Sequence, residues 1–151
     1  MYPKEFIQHV LINEIEDIVK NHPYLSFTLI AIGIEFLGKC LLEHKDWHKI
    51  KSDRAFQKGL DLMAEEEPTY NTLNLRDELR NGFAHGLLPK SKLALSEVKH
   101  GGLHFSERGG KTVLVAEIFY RDFVRACKKI LEKDFPKDDK MNRPLLGNIP
   151  E

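Results

Sequence analysis

The side chains best suited to chemistry lie in one stretch, from Leu75 to Gly86, with the sequence LRDELRNGFAHG. His85 can take and give a proton near neutral pH. Arg80 can neutralise a phosphate group or the charge of its transition state. Asn81, one helical turn before His85, can orient the imidazole or hold a substrate. These three catalytic candidates suit metal-independent RNA cleavage, in which a base deprotonates the ribose 2′-hydroxyl and the oxygen attacks the adjacent phosphate.

One amphipathic helix must position these groups. Apolar residues recur every four positions along the stretch and predict a stripe that is buried against the rest of the fold. These residues are Leu75, Leu79 and Phe83. The other side of the helix offers polar groups to a partner or a substrate, with Asp77, Asn81 and His85 on successive turns. We expect Arg76 and Asp77 to bind the substrate beside the catalytic candidates.

The helical geometry separates Arg80 from His85. In an α-helix their side chains lie about 140° apart around the axis, so both reach one phosphate only if it lies across their shared face. Two copies of the helix packed face to face would bring all the groups into one cleft, and the small Ala84 would permit that approach. The stretch therefore predicts a homodimer with a composite site. Gly86 suits the left-handed position that ends a helix.

A purely structural role is the alternative for these residues. Arg80 can pair with Asp77 or Glu78, and Asn81 and His85 can cap or bridge helix ends within the bundle. Local charge leans towards RNA, because residues 76–111 contain seven Lys or Arg and four Asp or Glu, a net charge of +3. A basic face can gather a phosphate backbone, although ordinary scatter of surface charge gives a similar excess.

Composition bounds the class of protein. The chain has 151 residues, the size of one domain, and Lys plus Arg equals Asp plus Glu at 23 each, so no overall charge favours nucleic acid or a membrane. Cys40 and Cys127 fall in apolar helical patterns, typical of buried free thiols in a reducing compartment. The first residues lack a signal-peptide pattern, and the most apolar run, 25–34, is about half of a bilayer span. We expect a cytoplasmic protein without membrane contact.

Periodicity predicts an all-α fold, an up-and-down bundle of about five helices with a small β-hairpin before the last helix. The predicted helices cover residues 3–21, 25–46, a span from a cap at Ser52 or Asp53 to the acidic run 65–67, a span from about 70–74 to 86, and 117–133. The hairpin is predicted from strands at 103–105 and 112–115, joined by a turn at 107–110. We expect residues 1–136 to form a single domain and residues 137–151 to form a flexible C-terminal tail.

The second predicted helix is expected to lie at the centre of the bundle. Its first half is apolar nearly all round, which is typical of a buried helix. Gly33 and Gly38 within it either permit the close approach of a neighbouring helix or weaken the helix locally.

The motif RNGFAHG follows an apolar helix, IAIGIEFLGKCL, in a mostly helical chain. This combination resembles the HEPN superfamily, whose pattern RxxxxH, usually with a polar residue after the arginine, matches Arg80, Asn81 and His85. The resemblance covers most of the chain, from the first helix to the last. It implies an all-α bundle that dimerises through the motif helix. In active members this motif is the metal-independent RNase site of antiviral, abortive-infection, toxin and CRISPR-associated proteins.

The resemblance also implies an alternative function. HEPN proteins often act as binding or dimerisation modules without cleavage, so the chain can instead bind RNA, a nucleotide or a partner such as a nucleotidyltransferase antitoxin. We expect no cofactor and no metal. His44 and His48 have a spacing that metal ligands use, but no third ligand is near, and we interpret them as a solvated helix end.

Overall fold

Five helices make up most of the fold in this computed structural model, which describes residues 1–86 and 88–145. We number them α1 (residues 3–21), α2 (Pro23–Leu41), α3 (Ser52–Ala64), α4 (residues 76–86) and α5 (Ala116–Glu132). A small mixed sheet of three strands lies between α4 and α5 in the chain. The fold is predominantly α-helical with a minor sheet, which confirms the predicted fold class in outline.

Helix α2 lies in the core. Its residues Phe27, Ile34 and Leu37 are fully buried and belong to one hydrophobic cluster with side chains of α1, α3 and α5. By length and composition alone α2 could cross a membrane, and 56% of its most apolar window is buried inside the fold. A buried core helix has the same composition. The two cysteines, Cys40 and Cys127, are buried free thiols as predicted.

Glycines allow α2 and α3 to cross closely. A Cβ atom at Gly38 would overlap the carbonyl oxygen of Ala55, and a Cβ atom at Gly59 would overlap the carbonyl oxygen of Ile34. Gly33 likewise faces a phenylalanine ring of α5. Of the two roles predicted for the glycines of α2, the structure confirms close approach, because no larger residue fits at these crossing points.

Two helices depart from their predicted bounds. Helix α2 ends at Leu41 rather than near residue 46, because Leu42 is extended and the Lys140 ammonium group hydrogen-bonds to two carbonyl oxygens at that end. Helix α4 begins at Arg76 rather than at residues 70–74, because Asn74 has a left-handed φ of 48°, which interrupts a right-handed helix.

Wider π-helical turns occur in both α1 and α4. They cover Ile7–Glu14 and Arg76–Asn81. In α4 the Gly82 N–H donates to the carbonyl oxygen of Asp77, five residues earlier, and Gly82–Gly86 is α-helical. Such π-helical turns are rare and often lie at functional sites. The helix that carries the motif therefore changes from π-helical to α-helical between Asn81 and Gly82, which is within the motif itself.

The sheet contains β1 (Leu93–Ser96), β2 (Glu107–Arg108) and β3 (Lys111–Val115) in the order β1-β3-β2. Strands β2 and β3 form an antiparallel hairpin whose turn has Gly109 and Gly110 at positive φ. The predicted first strand, 103–105, is wrong, because Phe105 has a left-handed φ of 64° and cannot continue an extended strand. Strand β1 pairs with β3 in parallel, which the sequence did not predict.

A buried polar network joins the loop before β2 to α5. The Tyr70 hydroxyl donates to Asp122 Oδ2 at 2.7 Å and lies 3.0 Å from His104 Nε2. His104 Nδ1 accepts the Val115 N–H at 3.0 Å, so the ring proton is on Nε2, where it meets the Tyr70 oxygen. Burial lowers the pKa of His104 from 6.5 to about 4. The ring is therefore neutral at pH 7.

This network makes the stability of the fold depend on pH. The pKa of His104 is about 4 in the folded chain, against an ordinary value of 6.5, so only the unfolded chain binds the proton between these values. We expect the free energy of unfolding to fall by about 1 to 3 kcal/mol as the pH is lowered from 7 to 4, because the ring is only partly buried. Urea unfolding at a series of pH values measures this slope.

A matched pair of variants tests whether the His104 ring causes the pH dependence of the free energy of unfolding. His104→Gln removes the titration, so its free energy of unfolding should change less between pH 7 and pH 4, even though the variant is less stable at pH 7. His100→Gln removes an exposed ring from the same loop and should keep the wild-type slope. Equal slopes in all three proteins would contradict the assignment.

The first part of the predicted flexible tail is packed against the helices. Lys140 and Met141 are buried, and the N–H of Leu145 donates to the carbonyl oxygen of Met1 at 3.0 Å. Residue 136 is therefore not the end of the packed chain, because Lys140 is held by the carbonyl oxygens at the end of α2. The remaining tail residues, 146–151, lie outside the described residues.

Candidate functional site

Arg80 of α4 pairs with a carboxylate of the central helix α2. Its Nε lies 3.3 Å from Oε2 of Glu35, and Lys39 Nζ lies 3.5 Å from Oε1 of the same carboxylate. Glu35 is 8% exposed, whereas the Arg80 side chain remains 34% exposed. Two cations therefore share one nearly buried anion, and each cation keeps part of its surface in solvent.

The two intrahelical partners predicted for Arg80 are engaged elsewhere. Asp77 Oδ1 lies 2.7 Å from Lys90 Nζ, and this hydrogen bond is the largest cause that lowers the pKa of the Asp77 carboxyl. The Glu78 carboxylate is buried and accepts the Lys92 N–H. Arg80 therefore ties α4 to α2 instead of stabilising its own helix.

Asn81 and His85 have different surroundings. Asn81 is half-buried, and its side-chain hydrogen bond to Asp77 also contributes to the lowered pKa of that carboxyl. The His85 side chain is exposed in the last turn of α4. Its imidazole ring makes no hydrogen bond or ion pair within the described residues. It therefore does not cap or bridge a helix end there. Gly86 is helical and not left-handed, so the predicted glycine cap is wrong.

Arg76, a predicted substrate-binding residue, faces α3. It lines a hollow of about 240 Å³ beside Asp53, Asn71 and Asn74. Its Nε atom is buried and has no hydrogen-bond partner among the described residues. Because Arg80 meets α2, the structure does not bring Arg76 to the Glu35 pair. The Arg76 side chain packs on the side of α4 that faces α3.

Exposed apolar side chains lie on α2 and just beyond the end of α4. The Tyr24 ring lies 5.4 Å from the ring of Phe83, and Tyr24, Leu25 and Ile32 of α2 are 44%, 53% and 48% exposed. Leu88, two residues beyond α4, is 64% exposed. We call Tyr24, Leu25, Ile32 and Leu88 the apolar patch. Exposed apolar side chains grouped in this way are typical of an interaction surface.

No family model, no curated protein and no solved structure matches the chain significantly. Within residues 1–86 and 88–145, no group of three or more His, Cys, Asp or Glu side chains is arranged to hold a metal ion. Helix α4 itself carries one imidazole, two guanidinium groups, two carboxylates and one amide.

Sequence reasoning missed two residues of this site, Glu35 and Lys39. Both lie in α2, 45 and 41 residues before Arg80, so periodicity within the motif helix does not include them. One signal was present in the apolar run IAIGIEFLGKCL. A glutamate inside an otherwise apolar helix must find a cation or leave a charge uncompensated when it is buried.

Proposed function

We propose that the chain is a HEPN-like up-and-down helical bundle that acts as a dimeric, metal-independent endoribonuclease. The observation that supports this most directly is the exposed His85 beside Arg80 on one helix. A general base must be free of structural partners to reach its substrate. The guanidinium group of Arg80 is part-exposed, so a phosphate can reach it from solvent.

The proposed reaction needs only the groups on α4. His85 takes the proton of a ribose 2′-hydroxyl, the 2′-oxygen bonds to the adjacent phosphorus, and the bond to the 5′-oxygen breaks. Arg80 offsets the negative charge that builds up on the phosphate oxygens, while Asn81 orients the imidazole or the RNA. The leaving 5′-oxygen takes a proton, from His85 of a second copy in a composite site. The products are a 2′,3′-cyclic phosphate and a 5′-hydroxyl end.

The apolar patch supports a homodimer through α4. Its residue Tyr24 contacts Phe83 of the helix that carries Arg80 and His85, so a second copy that covered Tyr24 would bring two motif helices together. A face-to-face arrangement also meets the geometric need of a site whose guanidinium and imidazole groups point in different directions. We propose that the protein works in the cytoplasm in a toxin–antitoxin or antiviral defence role, with an antitoxin or nucleotidyltransferase as its partner.

Cleavage of single-stranded RNA in the presence of EDTA tests the proposal. We expect the purified protein to cut such RNA and to leave 2′,3′-cyclic phosphate ends, which are identified by mass spectrometry of the fragments. Cuts that leave 3′-hydroxyl ends, or no cleavage of any RNA, would contradict the proposed reaction.

The Arg80–Glu35 pair supports a second candidate function. Arg80 ties α4 to a nearly buried carboxylate of α2. A non-catalytic binding module needs the same kind of contact to keep its binding helix in place. In this case the dimer binds RNA, a nucleotide or a partner protein without turnover. Arg80→Ala would then disturb assembly and stability, and His85→Ala would change binding without any loss of an activity.

Replacing Glu35 by glutamine separates binding from cleavage. Without the carboxylate, Arg80 and Lys39 lose their shared anion and are free to contact phosphates. We expect tighter binding of uncleavable RNA, with a dependence of log affinity on log salt that is steeper by about one. We also expect slower cleavage of bound RNA, because Arg80 is no longer held in place.

The matched control for this variant is Glu16→Gln. Glu16 forms the same kind of pair with a lysine four residues away, Lys20, but both side chains are largely exposed on α1. This variant should bind and cleave RNA like the wild type. Equal RNA affinity and equal salt dependence in Glu35→Gln and Glu16→Gln would show that Arg80 and Lys39 do not contact the RNA backbone.

A further inference from the structure

A small hollow lies beside the ion pair of Lys39 with Glu35, on the side away from Arg80. Its volume is about 180 Å³, and its lining consists of Phe36, Lys39, Trp47, His48 and Leu145. Pockets for drug-sized ligands usually exceed about 300 Å³, so this space suits a single flat ring system. It lies where the end of α2, the turn Trp47–Lys49 and the packed part of the tail meet.

The aromatic wall of this hollow is held in place. Trp47 stacks on Phe36 with ring centroids 5.4 Å apart and an interplanar angle of 6°, and Phe36 also contacts the Phe6 ring at 5.0 Å. The Asp46 carboxylate accepts the His48 N–H at 2.9 Å and fixes the turn. A rigid aromatic wall binds another ring at little cost in conformational entropy.

Two nitrogen-bearing side chains border the same space. The His48 ring is exposed and has no hydrogen-bond or ion-pair partner within the described residues. Lys39 lines the hollow and also pairs with Glu35. Lys39 meets one oxygen of the carboxylate and Arg80 meets the other, so Lys39 and Glu35 together link the lining of the hollow to Arg80.

We propose that this hollow is a nucleobase-binding subsite for the RNA strand whose phosphate contacts Arg80. The inference rests on the proposed RNA-cleaving function and names how that site holds its substrate. The aromatic wall packs against the base, His48 hydrogen-bonds to the edge of the base, and Lys39 contacts the phosphate that joins this nucleotide to the one at Arg80. Apolar contact and charge thus act on neighbouring parts of one strand.

Trp47 provides a direct readout, because it is the one tryptophan in the sequence. The probe is a set of 2′-O-methyl RNA hexamers, each of a single base type, which cannot be cleaved because they lack a free 2′-hydroxyl group. We expect saturable quenching of Trp47 fluorescence, with different affinities for the four bases. His48→Ala should weaken binding of the preferred hexamer about tenfold, and His9→Ala, an exposed histidine of α1, should leave it unchanged.

The outcomes separate this inference from the proposed cleavage. Quenching that His48→Ala weakens and His9→Ala does not supports the subsite, even if the protein cuts no RNA in EDTA, a result that would overturn cleavage alone. RNA cleavage without any change in Trp47 emission, or with equal hexamer affinity in His48→Ala and the wild type, would overturn the subsite and leave cleavage intact. Absence of both quenching and cleavage would overturn both.

Discussion

Replacement of His85 by alanine is expected to lower the rate of RNA cleavage at least about 100-fold, the usual loss when a general acid–base group is removed. The imidazole is the single group on the exposed part of α4 that can move a proton near neutral pH. The variant should still bind RNA, because Arg80 and Lys39 are unchanged. The measurement is single-turnover cleavage of a labelled RNA in EDTA.

The fold should tolerate this change well. His85 is exposed and makes no hydrogen bond within the described residues, so its removal is expected to change the free energy of unfolding by less than about 0.5 kcal/mol. A loss of activity with unchanged stability therefore assigns the effect to chemistry. In a composite site, mixing a trace of the wild type with an excess of the inactive variant should place nearly every wild-type chain in a heterodimer and show whether one imidazole per dimer is sufficient.

His9→Ala is the matched control for this experiment, because it removes another exposed histidine. It should cleave RNA at the wild-type rate. Equal cleavage by His85→Ala and the wild type would rule out His85 as the catalytic group and would point to a contaminating nuclease. Absence of cleavage by all three proteins, with RNA binding retained, would favour the non-catalytic binding module.

The sequence was enough to predict which side of the motif helix is buried. It was not enough to predict which other helix packs against that helix. Leu75, Leu79 and Phe83 are all buried as their four-residue spacing predicted. Spacing within one helix shows which side is buried but carries no information about which other helix lies against it. The Glu35–Arg80 contact, which decides how Arg80 points, joins residues 45 positions apart and depends on the packing of α4 against α2.

Two further features near the site could not be predicted from sequence patterns either, because they also depend on packing between distant parts of the chain. The π-helical turns at Arg76–Asn81 contain residues that are all compatible with an ordinary α-helix, so their cause lies in packing and not in local preference. The hollow beside Trp47 is closed by Leu145, far from α2 in the sequence. The segment around Leu145 was predicted to be flexible because it lacks periodicity, although its contacts are specific.

Gly38→Ala is expected to destabilise this fold strongly, although it adds only one methyl group. In an ordinary exposed helix this change stabilises by up to about 1 kcal/mol. Here the new Cβ would overlap the backbone carbonyl oxygen of Ala55, which cannot rotate away as a side chain does. We expect a loss of about 3 kcal/mol or more in the free energy of unfolding, measured by urea unfolding, or failure to fold.

Gly86→Ala and Gly59→Ala complete this test. Gly86 is helical and has nothing within 4 Å of the Cβ position, so the same substitution there should change stability by no more than about 1 kcal/mol. Gly59→Ala should be as harmful as Gly38→Ala, because its Cβ would overlap the carbonyl oxygen of Ile34, the residue before Glu35. Any spreading of α2 from α3 would therefore also displace the carboxylate that holds Arg80. Comparable stability of Gly38→Ala and Gly86→Ala would contradict the close crossing of the two helices.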